Sequence, residues 1–394
     1  MGLLYGRTRI MKVIVLGADG YLGWPTCMYL SRRGYEVWAI DCGIKRQWEE
    51  KFGVKPLYPI AGLGSRVVMW NRREDACSIH LFESVNIATE PNLLYGLLDK
   101  VKPDAIIHYA EQPSAPMSQF TRGTAVITQM NNVIGTLNLL FAMKHTDNLD
   151  CHLIKLGTMG EYGTPNIDIE EGYLEIHHNG RSDTLPFPKL PGSFYHASKV
   201  HDSTNIHLAC RIWGIRATDL NQGIVYGIDT EETLSHPDLR TSFHYDATFG
   251  TVINRFVTQA VLGLPLTVYG NGSQTRGFLN IKDTLRCVEL AMKTPAEEGE
   301  FRVFNQFTEE FSIMDLAMKV RHASPIPVFI ENIPNPRVEK ENHYYNARHD
   351  NLRHLGLVPN LITEDVLSNM IAQVEEHKLS VRLETLLPKI EWST

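Results

Sequence analysis

Short apolar runs alternate through the first half of the chain with stretches whose apolar residues recur every three or four positions. Residues 11–16 (M-K-V-I-V-L) are rich in β-branched side chains and read as a buried parallel strand. A glycine-rich turn follows at once, and helical spacing over residues 25–33 is closed by Gly34. Residues 35–40 read as a second strand, and residues 105–108 and 152–156 as two more, with helical stretches between them at 93–100 and 133–144. This alternation predicts an α/β protein built on a doubly wound parallel sheet of the Rossmann type. After about Gly223 turn residues become dense, over 227–251 and again over 325–336, while helices remain readable at 252–262, 284–293 and 314–321. The expected organisation is a sheet-bearing unit over mainly 11–223 and a smaller α/β unit over mainly 224–394, with segments interleaved between them.

Composition narrows the function classes. The formal net charge of −7 counts against a nucleic-acid or anionic-membrane partner, and no apolar run is long enough to span a bilayer. Cys27, Cys42, Cys77, Cys151, Cys210 and Cys287 form no C-x-x-C pair and no metal-ligand spacing, so no metal is expected. Reduced thiols fit a reducing compartment: the cytoplasm, or the plastid stroma in a plant, although no transit peptide is visible. The first ten residues, MGLLYGRTRI, precede a second methionine, Met11, and lack the apolar stretch of a signal peptide. They read as an upstream start or an appended segment.

The candidate chemistry begins at the first turn. Gly17-Ala18-Asp19-Gly20-Tyr21-Leu22-Gly23 is G-x-x-G-x-x-G directly after a strand and before a helix. Gly17 permits the tight turn, Gly20 lets the backbone approach a pyrophosphate, and Gly23 lets the helix pack closely on the sheet, with its N-terminus facing the phosphates. This assigns a dinucleotide site to the 11–223 unit, with Asp19, Tyr21 and Leu22 in the turn itself. Asp41 ends the second strand, where a carboxylate hydrogen-bonds the adenosine ribose and repels a 2′-phosphate, so NAD is expected rather than NADP.

Tyr195-His196-Ala197-Ser198-Lys199 is Y-x-x-x-K, which puts phenol and ammonium on one helix face. A phenol titrates near 10 in water and needs a neighbouring positive charge to act as a base at neutral pH. With Lys199 supplying that charge, Tyr195 can take a hydroxyl proton as hydride leaves for NAD. Thr158, at the carboxyl end of a strand, can hydrogen-bond the same substrate oxygen and orient it.

These pieces, in this order, resemble the extended short-chain dehydrogenase/reductase family of nucleotide-sugar epimerases and dehydratases. The resemblance covers nearly the whole chain from Met11 and includes Asn132-Val133-Ile134-Gly135-Thr136-Leu137-Asn138 and residues 270–278 (GNGSQTRGF). It implies that Asn86 lies near the adenine ring, that Asn132 and the Tyr195–Lys199 pair contact the cofactor, and that Arg276 and Arg337 hold a sugar-nucleotide diphosphate. Residues 265–269, with Thr267, then run along the uracil, and the 224–394 unit binds the UDP-sugar. Longer strings, at 157–173, 181–189, 193–202, 213–227 and 301–308, are similar to a sulfosugar-forming branch of that family. That branch implies UDP-glucose and sulfite as substrates, oxidation at the sugar 4-position, loss of water across the 5- and 6-positions, sulfite addition and reduction at the 4-position. Gln112, Asn221 and Gln222, within shared strings, then join Thr158 as substrate-binding candidates, and a homodimer is expected. Ordinary 4,6-dehydratases carry an Asp-Glu pair after the active-site threonine. Here Met159 and Gly160 follow Thr158, which leaves His196 and Glu161 as candidate proton carriers. Plant members of the branch carry a basic residue where Pro113 stands. Another nucleotide-sugar 4-epimerase or dehydratase on the same scaffold is the nearest alternative. A non-catalytic dinucleotide-sensing protein is a different class, against which both Tyr195 and Lys199 count.

Overall fold

The computed structural model describes residues 9–340, 342–388 and 392, so most of the segment ahead of Met11 lies outside the described residues. The chain begins with β1 (Lys12–Leu16), α1 (Gly23–Arg32), β2 (Glu36–Asp41), α2 (Ile44–Phe52), α3 (Leu63–Trp70) and β3 (Ile79–Glu83). It continues with α4 (Pro91–Val101), β4 (Ala105–His108), α5 (Arg122–Gln129), α6 (Gly135–His145) and β5 (His152–Thr158). A hairpin of β6 (Tyr173–His178) and β7 (Arg181–Pro186) precedes α7 (Phe194–Trp213), β8 (Arg216–Gln222) and β9 (Ile224–Tyr226). Then come α8 (Val252–Val261), β10 (Leu266–Tyr269), β11 (Thr275–Asn280), α9 (Ile281–Lys293), β12 (Phe301–Gln306), β13 (Glu309–Ser312) and α10 (Ile313–Ala323). The last elements are β14 (Ile330–Ile333), α11 (Asn351–His354) and α12 (Glu364–Glu376).

Seven parallel strands form the main sheet in the order β12-β8-β5-β4-β1-β2-β3. The apolar run of β1 explains why it sits centrally. Val13 and Val15 point into the cluster with Trp24, Met28 and Leu285, while Ile14 and Leu16 point into the other, with Leu98, Leu139 and Ile206. Alternate residues therefore bury on opposite faces, at about 2 kcal/mol for each such side chain. Helices α1, α3 and α9 cover one face and α4, α6 and α7 the other, the doubly wound arrangement read from the sequence.

A second body gathers around α8, α10 and α12 with the short sheets β10-β14 and β13-β11-β9. The two bodies exchange segments. β12 and α9 return from beyond residue 223 to the main sheet, whereas Leu57 and Tyr58, far upstream, pack with Phe243 and Phe256 in the second core. Among the described residues no helix is long and apolar enough to cross a membrane.

Candidate active site

The order of strands reverses between β1 and β4, and the loops leaving their carboxyl ends diverge to open a crevice. A cavity of about 1710 Å³ occupies it, and its walls include Gly17, Asp41, Asn86, Thr158, Tyr195, His196, Arg276 and Arg337.

The glycine turn is shaped by close approach. Gly17 has φ of 85° and donates its amide to Ile40 O at 2.9 Å. A Cβ at Gly23 would stand 2.0 Å from the Gly17 carbonyl oxygen, so any side chain there would push α1 off the turn. No side chain caps the start of α1, and Gly20, Tyr21, Leu22 and Gly23 at that end line the cavity, where an anionic ligand would meet the helix N-terminus. Asp41 accepts the amides of Asp19 (2.8 Å) and Gly43 (2.7 Å); burial raises its pKa and those two bonds oppose the shift. The cations near it are committed elsewhere. Arg46 grips Asp19 at 2.5 and 2.9 Å, Arg66 pairs with Asp19 from full burial, and Lys45 pairs with Glu49. A 2′-phosphate would meet Asp41 without a free cation, whereas ribose hydroxyls can donate to it. Tyr21 and Leu22 line the same wall, and the Asn86 Oδ1 accepts the Ala88 amide at 2.9 Å, which orients that side chain. The cradle fits NAD.

Two elements, β5 and α7, carry the reacting groups. Thr158 ends β5 opposite Gln222 of β8, and its Oγ1 accepts the Gly160 amide at 3.1 Å. At the start of α7 the Ser193 Oγ accepts the His196 amide at 3.1 Å and lies 3.0 Å from His196 Nδ1. One cap thus starts the helix and holds the imidazole. The Tyr195 amide donates to Ser118 Oγ at 3.1 Å. One turn on, the Lys199 Nζ lies 5.7 Å from the centre of the Tyr195 ring and donates to Leu156 O at 2.7 Å. Burial raises the Tyr195 pKa; the Lys199 charge pulls it down and the Glu111 charge pushes it up. Burial lowers the His196 pKa to about 4, with the Arg337 charge adding, so the imidazole is neutral at pH 7. A Cβ at Gly160 would stand 2.4 Å from His196 Nε2, so the imidazole occupies the space a side chain at that position would take.

Several expected site residues turn away from the cavity. Glu161 is fully buried with Lys155 Nζ at 3.3 Å and Lys189 Nζ at 2.5 Å. Burial alone would raise its pKa, but the two ammonium groups hold it at about 2, so it is a fixed anion and not a proton carrier. Asn132 is buried and clamps the Gln112 amide (2.7 Å) to Ser198 Oγ (2.9 Å) rather than facing a cofactor. The Gln112 side chain points inward to Thr128 Oγ1 at 2.8 Å, and Asn221 donates to Tyr162 Oη at 2.8 Å beneath the sheet's end. Thr267 is held by Gln259, and its carbonyl accepts from Arg255 at 3.1 Å. The side chains of Gln112, Asn132 and Asn221 thus depart from the expected direct ligand contact, being spent on buried partners, whereas the expectation for Thr267 was of backbone contact along 265–269.

Arg276 pairs with Glu339, while Arg337, half-buried with its guanidinium over Trp392, has no carboxylate at ion-pair distance among the described residues. Arg337 is therefore placed to receive an anion. Sequence reading missed Arg255, whose Nη1 donates to Tyr269 Oη at 2.7 Å on the cavity wall, and it missed Glu111. A cation within the otherwise uncharged helical run 252–262 was the available signal for the first. Among the described residues no group of His, Cys, Asp or Glu is arranged to hold a metal ion.

The family description "NAD dependent epimerase/dehydratase family" matches residues 13–305. The chain is 50% identical over 391 residues to a spinach protein named UDP-sulfoquinovose synthase, chloroplastic, covering 98% of this chain and 80% of that protein. It is 39% identical to a Sulfolobus acidocaldarius protein named UDP-sulfoquinovose synthase, covering 97% and 98% of the two chains. Among solved structures, UDP-glucuronic acid 4-epimerase from Bacillus cereus, in complex with UDP-glucuronic acid and NAD, superposes with a TM-score of 0.67 at 20% identity, over 93% of this chain and 99% of that one.

Proposed function

The chain belongs to the NAD-dependent epimerase/dehydratase family, and on that premise we propose that it converts UDP-glucose and sulfite to UDP-sulfoquinovose, the sulfolipid head-group donor. The contact of Gly160 with His196 carries this reading. Positions that hold an acid pair in ordinary dehydratases are here given to Met159 and Gly160, and a neutral imidazole fills the space. Held by the glycine turn and Asp41, NAD would supply the hydride acceptor for oxidation at the sugar C4 and the hydride for the closing reduction. Tyr195 Oη takes the 4-hydroxyl proton and gives it back at the closing reduction, while Thr158 Oγ1 orients that oxygen. His196 takes the C5 proton, made acidic by the 4-ketone, and delivers it to the departing 6-hydroxyl. Arg276 and Arg337 hold the diphosphate, and sulfite is met by backbone amides, Gln222 and His196.

Incubation with UDP-glucose in heavy water tests this. Deuterium enters at C5, and sulfite then yields a product with the mass of UDP-sulfoquinovose. A UDP-galactose product without exchange at C5 would mean a simple epimerase. Exchange with no sulfonated product at any sulfite concentration would leave a dehydratase-like enzyme without the sulfite step.

The assembly is a homodimer in this reading. Val126, Met130, Ile134 and Phe141 form an exposed apolar stripe on the α5–α6 rod, and Leu208 and Ile212 extend it on the adjoining α7. Sedimentation should give twice the chain mass, and Ile212→Glu a single chain.

A further inference from the structure

Behind Tyr195 the structure holds a charge that the reaction scheme above does not use. The carboxylate of Glu111 is an ion-pair partner of the Lys199 ammonium, and both side chains are 3% exposed. Neither Glu111 oxygen has a hydrogen-bond partner in acceptable geometry, and His108 Nε2 stands 4.0 Å from one of them. Glu111 lies three residues beyond β4 and lines the cavity, so its carboxylate reaches Lys199 from an element other than α7. The neighbouring charges are otherwise paired: Lys155 with Glu161 and Asp219, and Lys189 with Glu161. The two unpartnered oxygens of Asp202, one turn beyond Ser198, are buried in the same layer.

We propose that Glu111 is a positioning residue that partly neutralises Lys199, so that Tyr195 serves as a base in the opening oxidation and as an acid in the closing reduction. The inference rests on the role given to Tyr195 above. One residue must take a proton from the 4-hydroxyl and later return it to the same oxygen. A buried ammonium with no counter-ion, next to the positive ring of the oxidised dinucleotide, would hold the phenol as phenolate and make it a poor acid. A carboxylate on the far side of the ammonium raises the phenol pKa again, toward the working pH where proton transfer in both directions is efficient. The signs agree with the field at Tyr195, where Lys199 and Lys155 lower the pKa while Glu111 and Glu161 raise it. Burial, with the Glu111 charge adding, raises the pKa of the Asp202 carboxyl well above the ordinary range, so its charged form is disfavoured. Burial makes both His108 and His196 neutral, at about 4 each. Of the anions facing Lys199, Glu111 is the one not already matched to Lys155 or Lys189.

The test is an ultraviolet difference titration of the Tyr195 phenolate in the holoenzyme, with Tyr195→Phe as the blank, beside the pH profile of single-turnover dinucleotide reduction by UDP-glucose. Glu111→Gln keeps the shape and removes the charge. The titration should move about one pH unit lower, the acid limb of dinucleotide reduction should move with it, and complete turnover should fall relative to the opening oxidation. Glu111→Asp keeps the charge but withdraws it, and should give a smaller shift of the same sign; it also reads the same quantity if the glutamine variant does not fold. Asp202→Asn should leave the titration in place. A Tyr195 titration unmoved or moved upward in the Glu111 variants overturns the proposal. If Tyr195→Phe instead oxidises UDP-glucose at a normal rate, the base assignment fails, while the titration shift still reads the Glu111 charge by itself.

Discussion

At the scale of single residues, the reacting groups can be ranked by what each loses. Tyr195→Phe keeps the ring and loses the proton-transferring atom, so dinucleotide reduction by UDP-glucose should fall at least roughly a hundredfold with NAD binding nearly intact. Lys199→Ala should lower the rate and weaken NAD binding, and Thr158→Ala, which loses only an orienting bond, should slow turnover less. Stopped-flow absorbance of the reduced dinucleotide compares all three; a near-normal Tyr195→Phe rate would sink the mechanism. Gly160→Ala places a methyl 2.4 Å from the present position of His196 Nε2. It should suppress hydrogen exchange at C5 more than oxidation at C4, which mass spectrometry of recovered sugar separates from the absorbance signal. The glycine turn, Asp41, Tyr195 and Lys199 were legible in the sequence because each is a local motif whose spacing sets its geometry. Gln112, Asn132, Asn221, Thr267 and Glu161 were not. Their strings identify a neighbourhood, but the direction of each side chain is settled by partners 6 to 66 residues away, such as Lys155 for Glu161, Gln259 for Thr267, Tyr162 for Asn221 and Ser198 for Asn132.

At the scale of elements, α7 does two jobs through one cap. Ser193 starts the helix that carries Tyr195 and Lys199, and its hydroxyl also holds His196. Ser193→Ala should cost about 1 kcal/mol of stability and should lower turnover more than that loss of folded protein explains. Chemical denaturation and kcat measured on the same preparation make the comparison, and unchanged kcat would detach His196 from the chemistry. Most strands and helices of the main sheet follow from their apolar periodicity, to within a few residues at the ends. The hairpin β6–β7 escaped that reading because its strands are largely exposed and polar, although Asn179-Gly180, both at positive φ, carry the usual two-residue turn signal. The helix expected at 133–144 begins instead in a wider π turn over Met130–Ile134. That turn places Asn132 where it can clamp Gln112, an arrangement that periodicity alone does not encode.

At the scale of the whole molecule, buried ionisable groups couple folding to pH. His152, at the far end of β5 from the cavity, donates or accepts with Thr218 at 2.9 Å, and its pKa falls to about 3, chiefly through burial. Because the folded value lies below the unfolded one, this stability is present above the ordinary histidine pKa and is lost as pH falls toward the folded value. Wild type should therefore lose about 1.4 kcal/mol per pH unit more than His152→Gln between roughly pH 6 and 4. Urea denaturation of both proteins across that range checks the slope; parallel curves would show that His152 already titrates normally. The return of β12 to the main sheet has a consequence for biogenesis. On the ribosome, β8 emerges well before its outer neighbour, which must wait until residues 301–306 have been made. In that interval β8 offers a bare row of amides and carbonyls at the sheet's margin, and the nascent chain exposes a template on which another copy could pair. Only β9, α8, β10 and β11 of the second body are synthesised within that interval, so the exposed margin of the first half coexists with a second body that still lacks α10 and α12.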